Sequence, residues 1–204
     1  PSRVGQLRRA LNRLAQPGRQ WVSFAFLTKD EVACLTKLAE CQPFRSARPE
    51  ISYKSNRVLQ DFEICFPAPR IDAFDQFAYC LETGLVQAGH MMTPSPFSTD
   101  FRFDDFAIQR YPTGSRGIGV HRDGLRYQHI VVIATLAGQS RLFATPIRGG
   151  GQRRVIDDRP GRIILLSAPA FAGRTGEAAR PLHGVDHVRG GRLSLGLRVI
   201  GAAC

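Results

Sequence analysis

Lysine is nearly missing from this chain: its 204 residues hold three, against twenty-five arginines. The formal charge of +11 is therefore almost entirely guanidinium, and the arginines are scattered rather than gathered in one run. Lys and Arg release counterions when they neutralise phosphates, so an excess of this size suggests a nucleic-acid partner. An arginine bias from GC-rich coding produces the same count without any binding surface, and both readings stay open at this point.

Long apolar runs are missing too. None approaches the roughly 20 residues that cross a bilayer as a helix, so no membrane partner is expected. Residues 1–20, PSRVGQLRRALNRLAQPGRQ, lack the apolar centre of a secretory signal. Their arginines and few acids also suit an organelle transit segment, so the expected compartment is the cytoplasm with an organelle left open. The five cysteines (Cys34, Cys41, Cys65, Cys80 and Cys204) form no Cys-x-x-Cys. That pattern argues against a zinc ribbon or a disulfide framework and fits reduced thiols. No internal repeat or low-complexity tract stands out, and no obligate protein partner is inferred.

What is present divides near residue 100. Residues 3–15 carry Val4, Leu7, Leu11 and Leu14 at helical spacing, with a basic opposite face that suits packing on the domain or a membrane surface. Thr28 followed by Glu31 is a capping-box signature and starts a helix near residue 29. A third helix is expected over 70–87, where Ile71, Phe74, Phe77, Leu81 and Leu85 share a face. Residues 42–69 contain four prolines and read as irregular or hairpin-like, a candidate substrate lid. Beyond residue 100 come short β-rich runs broken by Gly, Pro and Asp, at about 105–111, 117–122, 129–137, 140–145, 153–157, 161–167, 182–188 and 192–200. Eight strands with short connections point to a closed barrel or jelly roll.

The stretch GIGVHRD, ending at Asp123, places His121 and Asp123 on either side of an arginine. A kinase catalytic loop uses the same triplet, but the Asn expected seven residues after its His is Gln128 here. No Asp-Phe-Gly and no Gly-rich nucleotide loop accompany it, so the kinase reading fails. A metal clip asks for two same-side residues on a strand plus a third ligand from elsewhere, and His121 and Asp123 meet the first condition. Two imidazoles and one carboxylate leave three positions open on Fe(II) for a co-substrate and oxygen. For the third ligand, His183 and His187 share strand parity. Downstream, RLSLGLR alternates strictly, with Arg192, Ser194, Gly196 and Arg198 on one face and leucines on the other. A face bearing two guanidinium forks suits an anionic co-substrate.

Taken in order, HRD, PLHGV and RLSLGLR resemble the Fe(II)/2-oxoglutarate-dependent dioxygenases of the AlkB-like branch. That family reads His-x-Asp, then His-Gly-Ile/Val, then Arg-x-Asn-x-Thr-x-Arg, and IQRYPTGSRGIGVHRD resembles its upstream segment with Gln109 in place of Asn and Tyr111 retained. The resemblance spans about residues 100–200. It implies an α+β, mainly β, double-stranded β-helix (jelly roll) with N-terminal helices packed on one sheet. Residues 1–99 would form the helical and lid region and 100–204 the catalytic core, together one compact domain. It also implies Fe(II), 2-oxoglutarate and O2, with His121, Asp123 and His183 as metal ligands and catalytic residues. His183 is preferred to His187 because His-Gly-Val matches the family and lies nine residues before Arg192. Arg192 would pair with the distal carboxylate of 2-oxoglutarate, assisted by Tyr111 and Ser194, with Arg198 and Gln109 near its other end. Retention of Asp123 favours hydroxylation over halogenation.

Three departures stand against the pattern. Ser194 and Gly196 replace the family's Asn and Thr, and the loop between Tyr111 and His121 is one residue longer. Leu125 stands where bacterial AlkB has an acid that helps read a damaged base. Expected substrates are therefore an alkylated nucleic-acid base, a protein side chain or a small metabolite. Phe101, Phe103, Phe106 and Tyr127 are candidates to stack on a flipped base or to fill a core. His129, at the head of an apolar strand, reads as structural. A cupin-type metalloenzyme would leave Arg192 and Arg198 without a purpose, and a basic, non-catalytic module on the same barrel is the non-enzymatic alternative.

Overall fold

The computed structural model describes residues 2–53 and 56–201, so Cys204 lies outside the described residues. Three α-helices lie in the first half of the chain, interspersed with strands: α1 (Arg3–Ala15), α2 (Lys29–Glu40) and α3 (Asp72–His90). The stripe on α1 is buried through Leu7, Ala10, Leu11 and Leu14, and the helix packs against α3 and the first strand, so its apolar face is taken up within the chain. The capping box is made at both ends: the Glu31 N–H donates to Thr28 Oγ1 at 3.2 Å and the Thr28 N–H to Glu31 Oε2 at 2.8 Å. The third helix starts two residues later and ends three residues later than the expected 70–87. Ile71 is its exposed N-cap rather than part of the apolar face. At the far end Ala88 and Gly89 stay buried, with Phe97 crossing so close to Gly89 that a Cβ there would lie 2.9 Å from the ring.

Thirteen strands are present among the described residues. In the first half these are β1 (Trp21–Ala25), β2 (Arg45–Ser46), β3 (Glu50–Tyr53), β4 (Asn56–Asp61) and β5 (Glu63–Cys65). The second half supplies β6 (Asp105–Tyr111), β7 (Gly117–His121), β8 (Tyr127–Gly138), β9 (Arg141–Thr145) and β10 (Arg154–Ile156). It ends with β11 (Arg162–Ser167), β12 (Leu182–Asp186) and β13 (Arg192–Ile200). Two antiparallel sheets result, one ordered β1-β11-β8-β13-β6-β5-β2 and the other β10-β9-β12-β7-β4-β3. This is the mainly β jelly roll expected, with helices on one sheet. First-half strands extend both sheets, β1 on β11, β5 on β6 and β4 on β7. The 42–69 segment is hairpin-like as expected, and it also builds sheet.

Strand alternation sorts the apolar residues of the larger sheet into two layers. Leu193, Leu195, Leu197, Ile108, Ile130, Val132, Ile163 and Leu165 face the helices and join Leu7, Leu11, Phe74 and Leu81 in one core. Val131, Ile164, Leu166 and Tyr111 face the second sheet, packing with Leu142, Ile118 and Val185. Central strands are thus covered on both sides, which is why HIVVIATLA reads as continuous apolar sequence. Phe101, Phe103 and Phe106 belong to the helix-facing core, and the Gly149–Gly151 stretch lies in the β9–β10 hairpin connection.

Two strand ends differ from expectation and bear on the site. The strand β7 stops at His121, so Asp123 comes from the turn that follows it rather than from the strand. The strand β12 stops at Asp186, so His187 does not share strand parity with His183. His187 has φ of 48°, its side chain is exposed and its Nδ1 lies 3.0 Å from Asp186. Residues 174–181, which lead into β12, are tethered to the rest of the fold. The Arg174 guanidinium donates to the Leu14 carbonyl at the end of α1 at 2.6 Å, and Ser167 and Gln20 donate to the Ala179 and Ala178 carbonyls.

Candidate metal centre

The two sheets face each other across a cavity of about 350 Å³ that holds every residue singled out above as a ligand or co-substrate contact except His187. From the smaller sheet, His121 and His183 sit directly opposite each other in the β7–β12 ladder, with ring centroids 4.3 Å apart. Only glycine permits that ladder. Gly117 has φ of 83°, and a Cβ there would lie 1.9 Å from the Val185 carbonyl oxygen. One donor atom from each of His121, Asp123 and His183 falls within 4.8 Å of the others.

The protonation pattern suits a cation. His121 Nδ1 lies 2.9 Å from the Gly119 carbonyl oxygen and His183 Nδ1 lies 3.2 Å from that of Pro181. A carbonyl only accepts, so each Nδ1 carries a hydrogen and Nε2 is the ring atom turned toward the other ligands. Burial, reinforced by the charge of His183, pushes His121 down to about 4, so its ring is neutral at neutral pH. For Asp123 burial opposes ionisation, but His183, His121, Arg198 and Arg180 outweigh it and hold the carboxyl below its usual range. Two imidazole nitrogens and one carboxylate are the donor set that Fe(II) takes in a facial arrangement.

The larger sheet supplies the opposite wall through one face of two strands. Tyr111, Gln109 and Asp105 on β6 lie across from Arg192, Ser194 and Arg198 on β13. Arg192 is 4 % exposed, and its guanidinium is held on two edges. Its Nε donates to Asp158 at 3.2 Å and its Nη1 to Ser194 Oγ, while the buried Nη2 has no partner among the described residues. Tyr111 is buried below that guanidinium, 5.5 Å from ring centre to Arg192 Cζ, and burial raises its phenol to about 12, so it is a neutral donor. Arg198 donates to Asp105 at 2.8 Å and stacks over Tyr127 at 5.2 Å.

No family model and no curated protein sequence matches the chain. Solved structures do. A Pseudomonas putida prolyl-4-hydroxylase is 19% identical, with a TM-score of 0.65 over 96% of this chain and 100% of that one. A Trichoplax adhaerens prolyl hydroxylase, solved with a hypoxia inducible factor peptide fragment, is 14% identical, with a TM-score of 0.66 over 97% of this chain and 90% of that one. OsALKBH1 is 14% identical, with a TM-score of 0.58 over 90% and 99%. The fold is that of the 2OG-Fe(II) oxygenases.

Within this oxygenase fold the structure also brings in residues that the sequence reading passed over. Asp158, from the β10–β11 connection, contacts Arg192, and Asp105 contacts Arg198 and Tyr127. Arg180 donates to the Asp123 carbonyl at 2.6 Å, joining the turn that carries the carboxylate to the segment leading into His183. Arg122 and Arg126 line the cavity, and Ile51 and Phe66 are exposed at its mouth. Of the four aromatics considered for base stacking, only Tyr127 lines the cavity. His129 does not line the cavity and is half-buried against Phe97 and Phe101, as a structural residue would be.

Proposed function

We propose that the chain is an Fe(II)- and 2-oxoglutarate-dependent oxygenase, a hydroxylase or oxidative demethylase. His121, Asp123 and His183 hold the metal and Arg192 receives the distal carboxylate of the co-substrate. One observation carries the reading: a buried guanidinium with an unsatisfied N–H shares a cavity with a His-Asp-His donor set. Leaving a buried donor unsatisfied costs about 1–3 kcal/mol, and more on a charged group, and an anion removes that cost. A cupin-type metalloenzyme without a keto acid has no such need.

Bound iron supplies oxidation of a substrate C–H by O2, with 2-oxoglutarate leaving as succinate and carbon dioxide. The protein's own groups do the holding. Arg192 and Tyr111 donate to the distal carboxylate, Ser194 keeps the Arg192 fork in plane, and Gln109 lies beside Ser194 across the β6–β13 ladder. Arg198, fixed by Asp105, puts positive charge near Asp123 and the metal-proximal end of the co-substrate. Substrate enters past Ile51 and Phe66 and meets Arg122, Arg126 and Tyr127. These last three are the groups that a nucleic-acid substrate would engage. Oligonucleotide affinity that is the same at low and high salt would argue against that substrate class.

Fe(II)-dependent formation of succinate from 2-oxoglutarate tests the class and separates it from a non-catalytic binding module. Arg192→Ala tests the assignment. Truncating one partner of a buried charge pair costs about 2–5 kcal/mol, so half-saturation by 2-oxoglutarate should need about thirtyfold more co-substrate or beyond. Metal affinity should not change. A variant with wild-type co-substrate affinity would overturn the role of Arg192.

A further inference from the structure

Asp158 occupies an odd place for a site that takes a dianion. Its carboxylate is 9 % exposed, lies against the Nε edge of Arg192 at 3.2 Å, and is held there by Ser140 Oγ, also at 3.2 Å. An incoming carboxylate therefore meets a guanidinium whose charge is already partly cancelled. It also meets one that cannot swing, because Nε and Nη1 are both engaged and only Nη2 is left without a partner. Two separate consequences follow. The fixed fork reads the length of the ligand, because its one unpartnered nitrogen, Nη2, is held in place relative to the metal ligands. The nearby negative charge lowers the attraction for the ligand's distal carboxylate.

We propose that Asp158 is a positioning residue for the co-substrate, one that sharpens selection for the chain length of 2-oxoglutarate while holding its affinity down. This rests on the assignment of Arg192 to the co-substrate. The site would then saturate only at high keto-acid concentration, which makes turnover responsive to the supply of 2-oxoglutarate.

The two consequences are separable by substitution. Asp158→Asn keeps an oxygen that accepts from Arg192 Nε but removes the charge. Asp158→Ala removes both. Calorimetric titration of the Mn(II)-loaded full chain with 2-oxoglutarate and with 2-oxoadipate, one methylene longer, reads both without any turnover. For Asp158→Asn the expected result is about tenfold tighter 2-oxoglutarate binding, with the preference over 2-oxoadipate kept. For Asp158→Ala the preference should collapse from about tenfold or more toward parity, at unchanged Mn(II) affinity. Weaker or equal 2-oxoglutarate binding by Asp158→Asn overturns the charge role, and wild-type selectivity in Asp158→Ala overturns the positioning role. If Asp158→Ala does not fold, the near-isosteric Asn variant still decides the first. Wild-type protein that binds Mn(II) but neither keto acid overturns the co-substrate site itself, an outcome distinct from failure in the variants alone.

Discussion

Replacing His121 with alanine is expected to lower Mn(II) or Fe(II) affinity by more than about a hundredfold, since loss of an outer-shell partner alone costs 10–100-fold. Succinate formation should vanish with it. Asp123→Ala should do the same, because the carboxylate is the only acidic member of the donor set. The informative control is His187→Ala. His187 is close in sequence to His183 yet points to solvent beside Asp186, so its removal should leave metal binding at wild-type strength. Calorimetry with Mn(II), read together with the metal content of purified protein, gives both numbers. Retention of metal by His121→Ala, or its loss in His187→Ala, would place the centre elsewhere. The first variant is also a mild test of folding. His121 ends a strand, and the ladder beside it is fixed by the backbone approach of Gly117 to Val185 rather than by the imidazole.

How much of this was legible beforehand depends on whether a residue sits on a regular strand. The alternation of RLSLGLR put Arg192, Ser194 and Arg198 on one face, and the structure has them on the cavity wall with the leucines in the helix-facing core. Tyr111 and Gln109 came from the family resemblance, and alternation along DFAIQRY puts both on the face that pairs with Arg192 and Ser194. Asp105 was within reach of that argument: it shares their face, and pairing Tyr111 with Arg192 in an antiparallel ladder brings Asp105 opposite Arg198. The rule failed at strand ends. Extending β12 to residue 188 kept His187 in play as a ligand, whereas the chain leaves the strand at Asp186 and turns through a positive φ. Asp158 and Arg180 lie in connections without periodicity, and loop position relative to a distant strand has no local signature. The short β1, WVSFA, was passed over because five residues between two helices give too little alternation to recognise. The arginine excess carries a different lesson, and it leaves the nucleic-acid reading open. Many guanidinium groups counted toward a nucleic-acid surface are consumed in ion pairs, including Arg70, Arg110, Arg141, Arg153 and Arg162.

One of those pairs carries the largest stability effect expected of a single substitution away from the site. Glu82 is 4 % exposed on α3 and accepts both Nη atoms of Arg70, at 2.7 and 2.8 Å. It also accepts the Phe103 N–H at 2.8 Å. Arg70 returns a bond to the Phe103 carbonyl at 3.0 Å, and its pKa is raised, chiefly by the Glu82 contact. The knot fixes α3 to the segments that lead out of β5 and into β6, the strands that bring Ile64 and Gln109 to the cavity. Glu82→Ala leaves Arg70 only the exposed Asp75 as an anionic partner, through its Nε at 2.6 Å, and orphans the Phe103 N–H. The cost therefore falls toward the lower end of the about 3–5 kcal/mol for breaking a buried pair from one side. For a domain of this size that corresponds to a fall in Tm of about 6–20 °C. Glu63→Ala breaks the Arg110 pair, whose side chains are 40% and 39% exposed, and should cost less than about 1 kcal/mol. Replacing Arg70 and Glu82 together by methionine should recover part of the loss, because the poorly compensated charge goes while the Phe103 N–H still lacks its acceptor. Thermal denaturation of the three variants decides it, and a Glu82→Ala shift no larger than that of Glu63→Ala would mean that water reaches the Arg70 head well enough to replace its partner.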